Sequence, residues 1–143
     1  RQMCIRDSNE SVAPLLFWRK EYHPDSGGSG RYRGGLGQII EIENAIGQDM
    51  ELLAAFDRIH FPARGRAGGA DGAVGRVALK QNGELQGKGC QHIPAGDRLI
   101  INTPGGGGFG PAPERDRQSV RQDLTNGIIS RHAAVGDYAL TDG

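Results

Sequence analysis

Apolar and polar residues alternate along several stretches of the chain, which is the pattern of β-strands. Leu36, Ile40 and Ile42 share one face of a predicted strand, with Glu41 and Glu43 opposite. Further strands are predicted at 97–103, 50–56 and 76–81, an extended segment at 15–23, and a hairpin turn at Asn82-Gly83. The stretch 50–56 is also compatible with a helix by propensity; we predict a strand there.

The C-terminal part of the chain loses this alternation and gains helical spacing. Val120, Leu124 and Ile128 recur at intervals of four residues, so they fall on one face of a helix. Asp116 is a suitable N-cap for this helix, and Asn126-Gly127 a suitable C-cap.

Ser130 is the N-cap of a second, short helix that we predict at 131–135. The predicted fold class is therefore α+β, a β-rich body with long glycine-rich loops followed by a short C-terminal helical hairpin. We assign the body to residues 9–113 and the helical segment to residues 114–143.

Glycine is unusually frequent and unevenly placed. The chain has 24 glycines among 143 residues, more than twice the usual ~7%. Six lie in 27–37, five in 65–75 and five in 105–110. Because these clusters alternate with apolar stretches, they predict ordered loops in which the backbone bends or another backbone approaches closely.

Charge and apolar content narrow the classes of function. Seventeen basic and 17 acidic residues give a formal net charge of zero, so the composition does not indicate a nucleic-acid or anionic-membrane binder. The longest apolar runs, at 15–18 and 52–56, are too short to span a bilayer. Two cysteines, Cys4 and Cys90, are too few for a disulfide framework. We predict a cytoplasmic protein.

The third glycine cluster contains the dinucleotide-binding pattern G-x-G-x-x-G at Gly105, Gly107 and Gly110, after a predicted strand. The context differs from that of a dinucleotide site. Pro111 and Pro113 follow immediately, and no acidic residue lies about twenty residues beyond the last glycine. We therefore predict no Rossmann site here.

A Walker A loop is not predicted either. Gly87-Lys88 is the one Gly-Lys pair in the chain, but Gly89 follows where a hydroxyl residue would hold magnesium. Asn82 occupies the position of the first glycine.

Cys90 and His92 are two residues apart, a spacing that puts both on one face if this stretch forms a strand. A cysteine–histidine nucleophile pair has this composition, but the sequence shows no third group to orient the histidine. An ordinary pair of residues in a loop or a strand is the simpler interpretation. The remaining histidines have no metal-ligand spacing: His23, His60 and His132. No metal site is predicted in this chain.

Asp57 and Arg58 next to His60 form a small charged group at the end of a predicted strand. Such a group is either part of a catalytic site or a structural ion pair on a solvated face. The sequence leaves both interpretations open.

Four arginines lie in or beside the glycine clusters: Arg31, Arg33, Arg64 and Arg66. The planar guanidinium donates two parallel hydrogen bonds, which suits recognition of a carboxylate or a phosphate. Alternatively, these arginines pair with acidic residues such as Asp25 and Asp71 within the loops. The sequence does not decide between these alternatives.

Four ordered motifs give the chain a specific resemblance to a known family. The stretches are PDSGGSGRYRGGLG, FDRIHFPARGRAGGADGAVG, GDRLIINTPGGGGFGPAPERD and DLTNGIISRHAAVGDYAL. In this order they resemble the C-terminal end of the hydantoinase B/oxoprolinase family, over residues 14 to 140. The departures are small: Ser29 stands where alanine is more usual, Phe109 where tyrosine is common, and Ala112 where aspartate is frequent.

The resemblance implies a part of an ATP-dependent cyclic amide hydrolase of the 5-oxoprolinase or N-methylhydantoinase type. It implies that this part is inactive alone and binds no cofactor itself. The parent enzyme would use ATP with Mg²⁺, and the resemblance allows a further divalent metal. Its partners would be a hydantoinase A-type ATPase subunit or domain and a small cyclic amide, with no nucleic acid and no membrane.

Family members are much longer than this chain, and their metal ligands are expected upstream of the matching stretch, so the resemblance assigns no catalytic or metal residue here. Candidates for an active-site or substrate-binding loop are Asp25, Arg33, Asp57, Arg58, Gly105, Gly106, Gly107 and Gly108. The alternative is a non-catalytic cap or subunit-contact module, as in a carboxylase of the acetone or acetophenone type. The opening RQMCIRDS, residues 1–8, resembles translated adapter sequence, and we predict that it is not native.

Overall fold

The computed structural model describes residues 13–140, so the predicted leader at residues 1–8 lies outside the described residues. These residues form two compact units. The strand unit consists of residues 13–21, 39–57 and 76–102, and the glycine unit of residues 22–38, 58–75 and 103–140.

Within residues 13–140, seven strands precede two helices. The strands are β1 (Leu15–Tyr22), β2 (Gln38–Asn44), β3 (Met50–Ala55), β4 (Arg76–Leu79), β5 (Gly83–Glu84), β6 (Lys88–Ile93) and β7 (Arg98–Asn102). A 3₁₀ turn at Ala112–Glu114 leads to α1 (Arg117–Thr125) and α2 (Arg131–Gly136). This order confirms the predicted α+β class with a C-terminal helical hairpin.

The strand unit contains two antiparallel sheets. Strand order is β1-β2-β7-β4-β5 in the larger sheet, and β3 pairs with β6 in the smaller one. Between β2 and β7, Ile40 lies opposite Ile101 and Ile42 opposite Leu99. A shift of one residue would move each of these side chains to the other face, so the apolar pattern specifies this register.

A network of charged side chains links β2 and β7. Glu41 accepts hydrogen bonds from Arg98 and Lys80, each at 2.9 Å, and Arg98 also donates to Glu43 at 3.0 Å. The guanidinium of Arg98 stacks 3.8 Å from the ring centre of Trp18. The hydrogen bonds from Arg98 and Lys80 hold the pKa of the Glu41 carboxyl below its ordinary value.

The glycine unit is built from three glycine segments, at 27–37, 65–75 and 105–110, whose backbones pair directly. Gly28 donates to the carbonyl of Gly106 and Gly108 to that of Ala70, both at 2.8 Å. At eleven glycines a Cβ atom would come closer than 3.0 Å to backbone atoms elsewhere in this unit: Gly27, Gly28, Gly30, Gly34, Gly37, Gly65, Gly69, Gly72, Gly105, Gly107 and Gly108. The glycine clusters are therefore packed interior rather than flexible loops.

The two helices begin at the predicted caps. Asp116 accepts from the backbone N–H of Ser119 at 2.8 Å, and Ser130 accepts from that of Ala133 at 3.1 Å. The helices and the residues that follow them form one apolar core. Its buried members are Val120, Ile129, Ala134, Tyr138 and Leu140. Neither of these helices has the length and apolar surface that crossing a membrane requires.

Two local predictions differ from the structure. Strand β6 (Lys88–Ile93) was not predicted as an element, because most of its side chains are exposed and show no apolar alternation. Leu36 precedes the start of β2 at Gln38, so it does not share a strand face with Ile40 and Ile42. The chain before Gln38 belongs instead to the first glycine segment.

We predict that Gly105→Ala destabilises the protein and that Gly35→Ala does not. A Cβ at Gly105 would overlap the carbonyl of Ser26, whereas one at Gly35 meets nothing within 4 Å. Overpacking of this kind costs about 3 kcal/mol or more, because the obstacle is backbone. Urea unfolding should show the loss for Gly105→Ala and a change below about 0.5 kcal/mol for Gly35→Ala. Equal stability of the two variants would contradict the packed glycine interior.

We predict that Glu41 contributes to stability at neutral pH and that this contribution disappears in acid. Its pKa is lowered in the folded state, so the unfolded chain binds more protons and stability falls as pH falls through the lowered pKa. In Glu41→Gln, the loss of stability between neutral pH and about pH 3 should be smaller than in the wild type. Urea midpoints at the two pH values measure this difference. An acid response of Glu41→Gln equal to that of the wild type would contradict the assignment.

Candidate functional site

Asp25 connects the first glycine segment to the helical hairpin. Its backbone N–H donates to the carbonyl of Ile128 at 3.1 Å, and its side chain accepts from the N–H of Ser130 at 2.8 Å. Its φ of 59° lies in the left-handed region, which is uncommon for a residue other than glycine. This conformation is held by contacts to residues more than one hundred positions further along the chain.

Arg33 belongs to a charged cluster that the sequence did not reveal. Arg33 Nε lies 3.2 Å from Asp123 Oδ2, and Arg115 Nη2 lies 2.8 Å from the same oxygen. The three side chains are only 12–16% exposed. Two guanidinium groups thus share one carboxylate in a largely desolvated place, where loss of the carboxylate would leave both charges unpaired.

Tyr138 packs beside this cluster and is 2% exposed. Burial raises the pKa of its phenol, while the nearby charges of Arg115 and Arg33 act in the opposite direction. The phenol therefore stays neutral, and Tyr138 also belongs to the apolar core that the helical hairpin forms with Val120 and Ala134. Arg115 Nε is also buried and has no hydrogen-bond partner among the described residues.

The four glycines of the run 105–108 lie in the interior of the glycine unit. Gly105, Gly106 and Gly108 donate their N–H groups to the carbonyls of Ala73, Gly35 and Ala70 at 2.8–3.0 Å. A phosphate-binding loop must offer such N–H groups to its ligand. The three donors are already used within the protein, so they are not available to form a phosphate cradle.

Asp57 and Arg58 lie in different units. Asp57, in the strand unit, is exposed and pairs with Lys88 at 2.7 Å. Arg58, in the glycine unit, has a φ of 58°, and its carbonyl accepts from Gly75 at 2.8 Å. Positive φ at a residue such as arginine persists only where surrounding contacts fix it.

Several of the predicted site residues lie close together in the structure although they are far apart in the sequence. The run 105–108 packs against the first glycine segment, next to both Asp25 and Arg33: a Cβ at Gly105 would meet Ser26, and Gly106 donates to Gly35.

Sequence reasoning missed Asp123, although one signal was present. Asp123 is a carboxylate three residues after Val120, within the predicted apolar face of the helix.

Cys90 and His92 share one exposed face of the β3–β6 sheet, and each has a carboxylate beside it. Cys90 Sγ lies 3.7 Å from Glu51 Oε2, and His92 Nε2 lies 3.5 Å from Asp49 Oδ2. Across residues 13–140, no three histidine, cysteine, aspartate or glutamate side chains are grouped to hold a metal ion.

The strand unit contains an apolar pocket of about 220 Å³, with Met50, Ile93 and Ile101 in its lining. Glu51 is the one charged side chain there. Binding sites for small polar molecules combine apolar walls with several placed polar groups, and this pocket lacks such a set.

Comparison with known proteins assigns the chain to a family. Residues 7–112 match the hydantoinase B/oxoprolinase family. The chain therefore belongs to that family, which confirms the resemblance seen in its glycine motifs.

Individual relatives carry more particular names. The chain is 41% identical to 5-oxoprolinase 1 of Arabidopsis thaliana over 71% of its own length and 8% of the relative. It is 31% identical to the beta subunit of the caprolactamase of Pseudomonas jessenii over 89% of its length and 23% of the relative. The chain thus spans between 8% and 23% of the curated relatives it matches.

Two solved structures share the fold. The crystal structure of ATP-dependent caprolactamase from Pseudomonas jessenii superposes with a TM-score of 0.73 at 27% identity, over 96% of this chain and 25% of that one. A nucleotide-free acetone carboxylase superposes with a TM-score of 0.69 at 19% identity, over 95% of this chain and 23% of that one. The second likeness concerns the fold alone.

We predict that Asp25→Ala destabilises the protein and Asp25→Asn does not. Asparagine keeps the side-chain oxygen that accepts from Ser130 and tolerates the left-handed conformation. Alanine loses the acceptor, which costs about 1–2 kcal/mol in a helix cap. Chemical denaturation of both variants measures the difference. A stable Asp25→Ala variant would contradict the linking role of this side chain.

Proposed function

We propose that this chain is part of an ATP-dependent cyclic amide hydrolase subunit of the 5-oxoprolinase or hydantoinase type. The likeness to ATP-dependent caprolactamase over 96% of the chain, at 27% identity and a TM-score of 0.73, carries this proposal. The 41% identity to a 5-oxoprolinase supports the same class of substrate, a small cyclic amide.

An unstrained cyclic amide resists hydrolysis because resonance stabilises its carbonyl group. ATP, held with Mg²⁺ by the parent enzyme, would supply the phosphoryl group that activates the amide oxygen. A hydantoinase A-type subunit or domain is the proposed partner that binds ATP. Two relatives, one of hydantoinase and one of caprolactamase type, are each named as a single subunit of an enzyme, which supports the existence of such a partner. We place the enzyme in the cytoplasm.

Within the parent enzyme, we propose that this chain is a rigid scaffold and subunit contact and is inactive alone. Hydrogen bonds and close packing that involve Asp25, Arg33 and the run 105–108 support a positioning role for these residues. Asp57 and Arg58 remain candidates for an active-site loop. Arg58 has no ion pair with a described carboxylate, which leaves its guanidinium available to a ligand.

The alternative function is a cap or subunit-contact module of an acetone- or acetophenone-type carboxylase. The acetone carboxylase structure favours it by fold. The lower identity, 19% against 27%, makes it the weaker candidate.

We predict that the parent protein containing this chain, expressed with its A-type partner subunit, hydrolyses ATP several-fold faster when a cyclic amide is present. The reason is that amide activation consumes ATP only when the ring carbonyl is bound. Phosphate release is measured with 5-oxoproline, hydantoin and caprolactam in turn. The 143-residue chain alone should release no phosphate with any of them.

Acetone with bicarbonate is the matched control in the same assay. Stimulation by acetone and bicarbonate, but by none of the cyclic amides, would replace the proposal with the carboxylase alternative. Turnover by the isolated chain would contradict its role as a scaffold.

A further inference from the structure

The zero net charge of the chain conceals an uneven distribution of charge. Among the described residues, the glycine unit carries nine arginines, no lysine and six acidic residues, whereas the strand unit carries six basic and eight acidic residues. The glycine unit is therefore basic through arginine alone. Arginine is enriched at protein interfaces and lysine is depleted there, because the guanidinium is more weakly hydrated and donates in a planar fork.

Part of this charge lies on an exposed surface that we call the Arg-aromatic patch, formed by Arg31, Tyr32, Arg66 and Phe109. Tyr32 and Phe109 exchange two backbone hydrogen bonds of 2.9 Å. Arg66 donates to Gly108 at 2.9 Å and accepts from Gly110 at 3.0 Å. Tyr32, Arg66 and Phe109, one from each glycine segment, thus lie side by side, and the backbone hydrogen bonds fix their relative positions.

The aromatic side chains of the patch are exposed although they are large. Tyr32 is 62% and Phe109 52% exposed, with ring centres 6.4 Å apart. The Arg31 guanidinium lies 5.7 Å from the Tyr32 ring centre. Aromatic residues and arginine that are held in place before binding lose little entropy on association, which is the character of interface hot spots.

The positive charge of the patch is not neutralised within the described part of the chain. Arg66 makes no ion pair there, and the nearby Asp71 accepts from the N–H of Gly65 instead. Arg31 has one distant contact, 3.9 Å from Glu114, and both side chains are more than half exposed. The patch therefore offers two guanidinium groups to an external acceptor.

We propose that the Arg-aromatic patch is the docking surface for a carboxylate-bearing surface of the A-type partner subunit. This inference rests on the proposed function for the existence of that partner. A depression of about 340 Å³ adjoins the patch, lined by Arg31, Tyr32, Glu114, Arg115, Asp116 and Ser119. This lining holds two arginines and two carboxylates. A protein surface can match such a mixed set with charges of both signs, whereas a nucleic-acid backbone presents phosphates alone.

The test measures association of the full-length parent subunit with its A-type partner by sedimentation velocity or biolayer interferometry. We expect Arg31→Gln combined with Arg66→Gln to weaken binding about tenfold or more and to reduce its dependence on salt. Phe109→Ala should weaken binding to a similar extent without changing the salt dependence. Arg121→Gln, an exposed arginine on α1, is the matched control and should bind as the wild type does.

Arginine labelling with phenylglyoxal, read by mass spectrometry, locates the covered surface. Arg31 and Arg66 should react in the free subunit and be protected in the complex. Protection already in the free subunit would show that the subunit's own chain covers the patch, and would overturn the proposal. The proposal would also be overturned if the patch variants bound the partner as tightly as the wild type does. It would likewise be overturned if the wild-type subunit bound labelled single-stranded DNA and the patch variants did not.

Turnover separates this inference from the proposed function. If the subunits assemble through the patch but no cyclic amide stimulates ATP hydrolysis, the proposed reaction fails and the docking surface stands. If the wild-type enzyme turns over and the patch variants assemble with wild-type affinity, the docking surface alone fails.

Discussion

The glycine unit depends on one constraint, the absence of side-chain volume where three backbone segments meet. Each glycine is costly to order, by roughly 0.5–1 kcal/mol relative to alanine in regular structure. The direct backbone hydrogen bonds between the segments offset that cost, since an unpaired buried backbone group would be more expensive still. A Cβ on one segment would separate the carbonyls and amides that pair across it, as at Gly34 against Gly106. Glycine is therefore required by packing at these positions.

The constraint explains why the charged side chains lie where they do. A core made of glycine backbones has little apolar area to bury against the helices, so polar contacts contribute to their attachment. Asp25 reaches Ser130, and Arg33 reaches Asp123 on α1. Arg115 binds the same carboxylate, and the buried phenol of Tyr138 packs beside it. The cluster is a structural link whose partners are fixed by backbone geometry on both sides.

Local signals in the sequence predicted most of the strands and helices, whereas contacts between residues far apart in the sequence could not be predicted from it. The helices begin at Asp116 and Ser130 because a cap is a contact over three residues, which a sequence displays directly. Strand β6 was missed because its exposed side chains give no alternation. Asp25 was identified as a candidate, but its partner Ser130 is 105 residues away, and no local pattern encodes that pairing. The sequence similarly left the pairing of Arg33 open, which the structure assigns to Asp123.

The same backbone pairing restricts which chemistry the glycine segments themselves can supply. With the N–H groups of Gly105, Gly106 and Gly108 committed to carbonyls, these residues have no donors left for a phosphate or a developing oxyanion. These three glycines therefore contribute packing, while the charge of the unit is supplied by side chains, among which arginines outnumber acidic residues nine to six in the described part of the chain. A rigid backbone that presents arginine and aromatic side chains, such as Arg31, Tyr32 and Phe109, suits recognition of another protein, because exposed aromatic rings and guanidinium groups are the groups that protein interfaces use.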